Sequence, residues 1–403
     1  MSVSAATPRL QPGQRLRLLL GEVGRLGECQ ASVDGQCLWV FGGIPGEEVV
    51  GEVVRSHRGY VAARVVEVVC PSPHRVAHPC PYFWPCTGCQ WQHIEYSYQL
   101  HLKQEIVARS LQTTPHLQGV PVRETLPSPR VFGYRNHARF TIGPYGKVGF
   151  VNRTTREFVE IPSCLLMHPW INEALAHLQG KCAETTQLSI RYGVNTGQWL
   201  IQPALLEPTI TLPTGQKAYE EALLGRRFRI ASPSFFQINT LQAERMVLAV
   251  KDALALKGKG LLVDAYAGVG TFAILLAPYV EQVIAVEEAS SAVEDARLNA
   301  YGIANIDFRR GKAEVVLSSL EERPDAVIVD PPRHGCHPRA LEALQRLAAP
   351  KLVYISCNLE ALVRDLNVLA QGPYRVVWVQ PVDMFPHTYH IECLALLTLG
   401  NGQ

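Results

Sequence analysis

Residues 261–272 run Leu261-Leu262-Val263-Asp264-Ala265-Tyr266-Ala267-Gly268-Val269-Gly270-Thr271-Phe272. An apolar run that ends in a carboxylate and turns through two glycines into a helical stretch is the opening of a βαβ unit. Glycine there lets a ligand come close to the backbone between strand and helix. Further buried-type runs follow: QVIAVEE at 282–288, DAVIVDPP at 325–332 and KLVYISC at 351–357. They alternate with helical stretches such as SSAVEDARLNAYG at 290–302 and PRALEALQRLA at 338–348. The alternation predicts an α/β domain over 231–403 with a mostly parallel, doubly wound Rossmann-like sheet. Its ligands belong at the carboxyl ends of the strands.

Those ends carry the chemistry. Glu287 stands 23 positions after Asp264, where an acidic residue can bind a ribose hydroxyl pair. The dinucleotide fingerprint needs a third glycine, but Phe272 or Ala273 occupies that place, which favours S-adenosylmethionine over NAD. Asp330 follows VIV, and two prolines stiffen the exit of its strand. Cys357 ends the next strand just before a helix, whose N-terminal dipole is expected to lower its thiol pKa. Most single cysteines are small buried hydrophobes; Cys357 differs because its place faces the cofactor. Glu392 sits between Ile391 and Cys393 in an apolar run. It is either a solvated edge-strand residue or a desolvated base with a raised pKa.

Upstream, residues 11–69 read as short strands separated by turns at Gly42–Gly43, Pro45–Gly46 and His57–Gly59. A small β-barrel is expected for residues 1–70. The segment CPSPHRVAHPCPYFWPC at 70–86 is too rich in Pro and Cys for regular structure and reads as a linker or metal loop. Residues 95–112 look helical, and the remainder of 71–230 mostly strand. Between Leu126 and Arg156 lie Arg130, Arg135, Arg139, Lys147, Arg153 and Arg156 with no acidic residue, interleaved with Phe132, Tyr134, Phe140, Tyr145 and Phe150. Cations beside aromatics suit single-stranded RNA; a solvated strand face with its aromatics turned to the core fits as well.

Composition excludes other classes. The 403 residues are 47% hydrophobic and 18% charged, ordinary globular usage, so disorder and collagen-like repeats are ruled out. Net charge is +2, too small to decide a partner. No uncharged run approaches the roughly 20 residues of a membrane span, and the opening MSVSAATPRLQPGQRL lacks the pattern of a secretory signal. A cytoplasmic protein is expected, so its eleven cysteines are better read as thiols or metal ligands than as disulfides. Cys80-x5-Cys86-x2-Cys89 is the tightest group. Zinc and a 4Fe–4S cluster each take four ligands, and Cys164, Cys182 and Cys70 are the nearest candidates for the fourth.

Taken in order, FFQIN, DAYAGVGTF, VEE, DPPRHG, SCN and FPHTYHIE resemble the RNA (uracil-5-)-methyltransferase family, over nearly the whole chain. The N-terminal region with IPGEEV resembles the TRAM domain of many members. One departure is Ala267, where many members carry Cys, at a position that is not catalytic. The resemblance implies that Cys357 adds to uracil carbon 6 and Glu392 removes the carbon 5 proton. It implies that Gln237, Tyr266, Glu287 and Asp330 contact S-adenosylmethionine, with Gly268 shaping the loop. It further implies a 4Fe–4S cluster on Cys80, Cys86, Cys89 and Cys164; structural zinc is the alternative. The expected partner is RNA, 23S rRNA ahead of tRNA, the uracil flipped or unpaired, and the protein a monomer. A 5-methylcytosine enzyme and a non-catalytic RNA-binding factor are the competing classes. SCN with FPHTYHIE argues against the first, and retention of the whole constellation argues against the second.

Overall fold

The computed structural model describes residues 10–57 and 60–400; part of the expected turn at His57–Gly59 and most of the opening segment lie outside them. The chain forms two compact units. The first holds the chain up to Ile106 together with Pro386–His390. The second holds Val107–Phe385 and the chain from Ile391 on.

In the first unit, Arg15–Leu19, Cys29–Val33, Gln36–Phe41, Glu48–His57 and Tyr60–Cys70 form one five-stranded sheet. The third and fifth strands pair in parallel and the remaining pairs are antiparallel. Alternate residues such as Leu38, Val40, Val49 and Val53 are buried, as period-two patterning requires. The Cys-Pro-rich stretch is irregular apart from the short helix Phe83–Cys86, and the next helix is Tyr96–Gln112. Pro386–His390, from far along the chain, is bound here: Gln99 Oε1 accepts from the His387 N–H at 2.9 Å. The Lys103 ammonium, fully buried, donates to the His390 carbonyl at 2.9 Å.

In the second unit, a five-stranded antiparallel sheet has the spatial order Trp199–Gln202, Gln187–Tyr192, His137–Ile142, Val148–Val151, Phe158–Glu160. Ala138, Phe140, Leu188 and Ile190 share one buried core with Ile171 and Leu175 of the helix Pro169–Leu178. The cation–aromatic stretch divides. Phe140 is buried and stacks on Phe150 at 4.9 Å, and Tyr134 is buried too. Tyr145 alone is almost fully exposed, at 88%. Core packing thus accounts for Tyr134, Phe140 and Phe150, while Phe132 and Tyr145 are exposed.

The sheet that positions the site uses seven strands, here numbered β1 (Leu261–Asp264), β2 (Gln282–Glu287), β3 (Ile306–Arg310), β4 (Ala326–Val329), β5 (Lys351–Ser356), β6 (Tyr374–Val382) and β7 (Glu392–Leu399). The helices between and before them are α1 (Thr240–Leu254), α2 (Thr271–Leu276), α3 (Ser290–Asn299), α4 (Ala313–Val316), α5 (Pro338–Leu347) and α6 (Leu359–Gln371). Spatial order is β3-β2-β1-β4-β5-β7-β6. The first five are parallel, and β7 enters antiparallel between β5 and β6. Buried parallel strands need apolar residues on both faces, which is why LLV, AVIV and LVYI could be recognised. The order reverses between β1 and β4, the switch point where such sheets bind ligands. Asp264 and Asp330 lie at the ends of those two strands.

Candidate active site

The glycine turn after β1 is held by its neighbours. Gly268 and Gly270 both have positive φ, +56° and +89°, a region that costs other residues strain. A Cβ on Gly270 would come within 2.7 Å of Ile274 Cδ1. Glu287 braces the turn from the end of β2, one carboxylate oxygen accepting from the Gly268 N–H at 2.9 Å and the other from Ala289 N–H at 2.7 Å. Asp264 is fully buried, and one of its oxygens accepts from Ala273 N–H at 3.0 Å while Oδ1 has no hydrogen-bond partner. Burial pushes its carboxyl up to about 7. Asp330 is pushed up to about 7 by burial and by the nearby Asp264. Two desolvated carboxyls beside this glycine turn make a cradle in which burial favours the protonated form. Gln237 lies just before α1, its carbonyl accepting from Asn136 Nδ2 at 3.0 Å. Asn239 caps that helix by accepting from Gln242 N–H. Tyr266 is half-buried in the glycine turn, hydrogen-bonded to Cys336.

Three further groups converge beside this cradle. Cys357 directly follows β5 and precedes Asn358, which caps α6 by accepting from Glu360 and Ala361 N–H. Glu392 is the first residue of β7 and only 6% exposed. Ser356 pairs with Cys393 in the antiparallel register, so Cys357 and Glu392 come next beyond that pair. The Arg333 guanidinium, at the surface three residues after Asp330, lies beside the Cys357 sulfur and favours its thiolate. Of the two readings of Glu392, the desolvated one holds: burial first, then Asp330, raise its carboxyl well above the usual range, against the pull of Arg333. The expected lowering of the Cys357 thiol is corrected. Burial and then Glu392 hold it above its ordinary value, outweighing Arg333, even though it stands at the start of α6. Desolvation wins because the helix end offers only partial charges.

Residues 222–399 match the family model described as tRNA (Uracil-5-)-methyltransferase. An uncharacterized RNA methyltransferase of Gloeobacter violaceus is 34% identical, over 90% of this chain and 92% of its own. One from Thermosynechococcus vestitus is 33% identical over 96% and 99%. The crystal structure of Pyrococcus abyssi tRNA (uracil-54, C5)-methyltransferase in complex with S-adenosyl-L-homocysteine superposes with a TM-score of 0.77. It is 27% identical and covers 95% of this chain and 100% of its own.

The chain belongs to the RNA (uracil-5-)-methyltransferase family.

As a member it is an S-adenosylmethionine-dependent RNA methyltransferase, with the Rossmann-like domain the sequence led us to expect. In this methyltransferase all the cofactor and catalytic candidates read from sequence lie in the second unit. Arg333 is visible in DPPR, yet the sequence alone assigns it no role; its place just beyond the Asp330 strand end is the signal that could have singled it out. The metal candidates fare differently. Cys80, Cys86 and Cys89 are half-buried in the first unit, and the Cys89 sulfur accepts from Gln92 Nε2 at 3.1 Å. Cys164 belongs to the second unit, while Cys182 is sealed in its core. Among the described residues no three His, Cys, Asp or Glu side chains gather so as to hold a metal ion. Among the same residues no helix is long and apolar enough to cross a membrane.

Proposed function

We propose that this methyltransferase modifies carbon 5 of a uridine in structured RNA, 23S rRNA being the favoured substrate, through a covalent adduct of Cys357 with carbon 6. What carries the reading is the meeting of a thiol, a buried carboxyl and a guanidinium at the ends of β4, β5 and β7, beside the glycine turn. Uracil carbon 5 is a poor nucleophile. Addition of the Cys357 thiolate to carbon 6 places an electron pair in the ring as an enolate, and carbon 5 then attacks. S-adenosylmethionine would supply the electrophilic methyl group, the electron pair of the broken sulfur–methyl bond staying on its sulfur, which leaves as a neutral thioether. Arg333 stabilises the thiolate before addition. Glu392 takes the carbon 5 proton, and the electron pair released expels the thiolate and restores the ring. Gln237, Tyr266, Gly268, Glu287 and Asp330 form the cofactor side.

The division of labour we propose follows the boundaries 1–70, 71–230 and 231–403: a TRAM-like barrel, a central RNA-binding domain and the catalytic domain. The protein works in the cytoplasm as a monomer. A 4Fe–4S cluster on Cys80, Cys86, Cys89 and Cys164 belongs to the proposal on the strength of ligand spacing and family resemblance, and no step of the reaction passes through it. The second reading is a tRNA substrate, favoured by the likeness to the Pyrococcus abyssi tRNA (uracil-54, C5)-methyltransferase. Mapping 5-methyluridine in rRNA and tRNA from a strain lacking this protein separates the two. Loss from 23S rRNA alone supports the first, loss from tRNA alone the second, and no loss from either overturns both.

A further inference from the structure

The loop that carries Arg333 is tied down at four consecutive residues, all from α6 and its cap. Asn358 Nδ2 donates to the Arg333 carbonyl at 2.8 Å. Arg364 donates to the His334 carbonyl at 2.8 Å. Gly335, with φ +81°, packs so closely that a Cβ there would lie 2.3 Å from Arg364 and 2.6 Å from Asp365. The Cys336 N–H donates to Asp365 Oδ2 at 2.7 Å.

Asp365 is the hub. It is fully buried. The oxygen that holds Cys336 also accepts from the Tyr354 hydroxyl at 2.5 Å, and the other accepts from Arg364 Nε at 2.8 Å. Tyr354 belongs to β5, three residues before Cys357. The Cys336 thiol lies beside the Tyr354 and Tyr266 hydroxyls, so the network also reaches the glycine turn. One carboxylate thus joins the strand that ends at Cys357, the helix that follows it and the loop that presents Arg333. A buried charge with three donors is costly to break, yet it touches neither the base nor the cofactor cradle.

We propose that Asp365 is a positioning residue for methyl transfer, locking the Arg333 loop to the strand and helix that flank Cys357 so that guanidinium and sulfur stay in contact. The inference rests on Cys357 being the nucleophile. The groups facing its sulfur are Glu392 from β7, Asp330 from the end of β4 and Arg333 from the loop. Only Arg333 favours the thiolate, so a slack loop disfavours it.

The test is the pH profile of alkylation of Cys357 by iodoacetamide in the full-length protein, read from the mass of the peptide that contains it. In Asp365→Ala the midpoint should rise by roughly one pH unit, a factor of about ten in thiolate at neutral pH. Methyl transfer should slow by on the order of 10²-fold, as misplacement of a reacting group does, with S-adenosylmethionine affinity changed less than about threefold. Asp365→Asn, which keeps an acceptor for the Cys336 N–H, should lie between. Should Asp365→Ala not fold, Tyr354→Phe removes one bond of the hub and should shift the midpoint in the same direction. A wild-type profile in a folded Asp365→Ala or Tyr354→Phe protein, even with a lower melting temperature, overturns the proposal. Full turnover in Cys357→Ala would instead overturn the nucleophile assignment and leave the alkylation profile as it is.

Discussion

Cys357 and Glu392 are the first residues beyond the Ser356–Cys393 pair that closes β5 against β7, and the carboxylate is one of the groups that hold the thiol up. The coupling is reciprocal, since a thiolate opposes a second negative charge beside it. In the proposed mechanism the sulfur carries no charge once bound to carbon 6, so that opposition to a charged Glu392 is removed before the base has to act.

Cys357→Ala should abolish methyl transfer while leaving S-adenosylmethionine affinity within about threefold, because the thiol meets the base and not the cofactor. Isothermal titration with cofactor, beside a labelled-methyl assay, checks both halves. The expected loss corresponds to removal of the covalent route.

Arg333→Met keeps the side chain's length and removes its charge. Arg333 lowers both the Cys357 thiol and the Glu392 carboxyl, so both should rise in the variant. The acidic limb of the pH–rate profile should move to higher pH. A limb that moves by roughly one pH unit lowers the rate at neutral pH by about tenfold. An unmoved profile would exclude Arg333 from thiol activation.

Asp264 is held up to about 7 by burial, so the folded protein keeps a proton there that the unfolded chain has released above about 4. Native binding of the extra proton means that stability is lost as pH rises from about 4 to about 7. His93 and His137, held down to about 4 and about 3 by burial and nearby arginines, give the opposite slope. The readout is therefore the difference from Asp264→Asn. The melting temperature of the wild type should fall relative to the variant across that interval.

Protein prepared without oxygen should be brown and hold about four iron per chain if the cluster forms. Cys86→Ser should bleach it. Colourless protein with one zinc per chain would favour the structural-zinc reading.

Much of the catalytic domain was legible in the sequence for a physical reason. Parallel strands buried on both faces must be continuous apolar runs, so β1, β2, β4 and β5 announced themselves, and their polar ends marked Asp264, Glu287, Asp330 and Cys357. Strand β6 did not stand out, because it lies at the sheet's edge and mixes polar with apolar residues, YRVVWVQPV. The destination of Pro386–His390 was invisible, since local pattern says nothing of the distant Gln99 and Lys103 that bind it. Nor could composition foretell that Cys357 is held up: that depends on its burial in the fold and on Glu392, 35 residues later and paired only by register. Among the aromatics between 132 and 150, period-two alternation could have separated buried Phe140 from exposed Tyr145 only with the strand ends known.

The central claim, that Glu392 releases a covalent adduct formed by Cys357, is tested most directly with Glu392→Gln. Gln preserves shape and hydrogen bonding without useful basicity. The variant, mixed with substrate RNA and cofactor carrying a labelled methyl group, should yield an RNA–protein complex that survives denaturing electrophoresis and holds the label. Loss of a general base costs on the order of 10²–10⁴ in rate, so slow release over hours is compatible with the account. Wild-type turnover without a trapped adduct would contradict it, and Asp330 would then be the next candidate for the base.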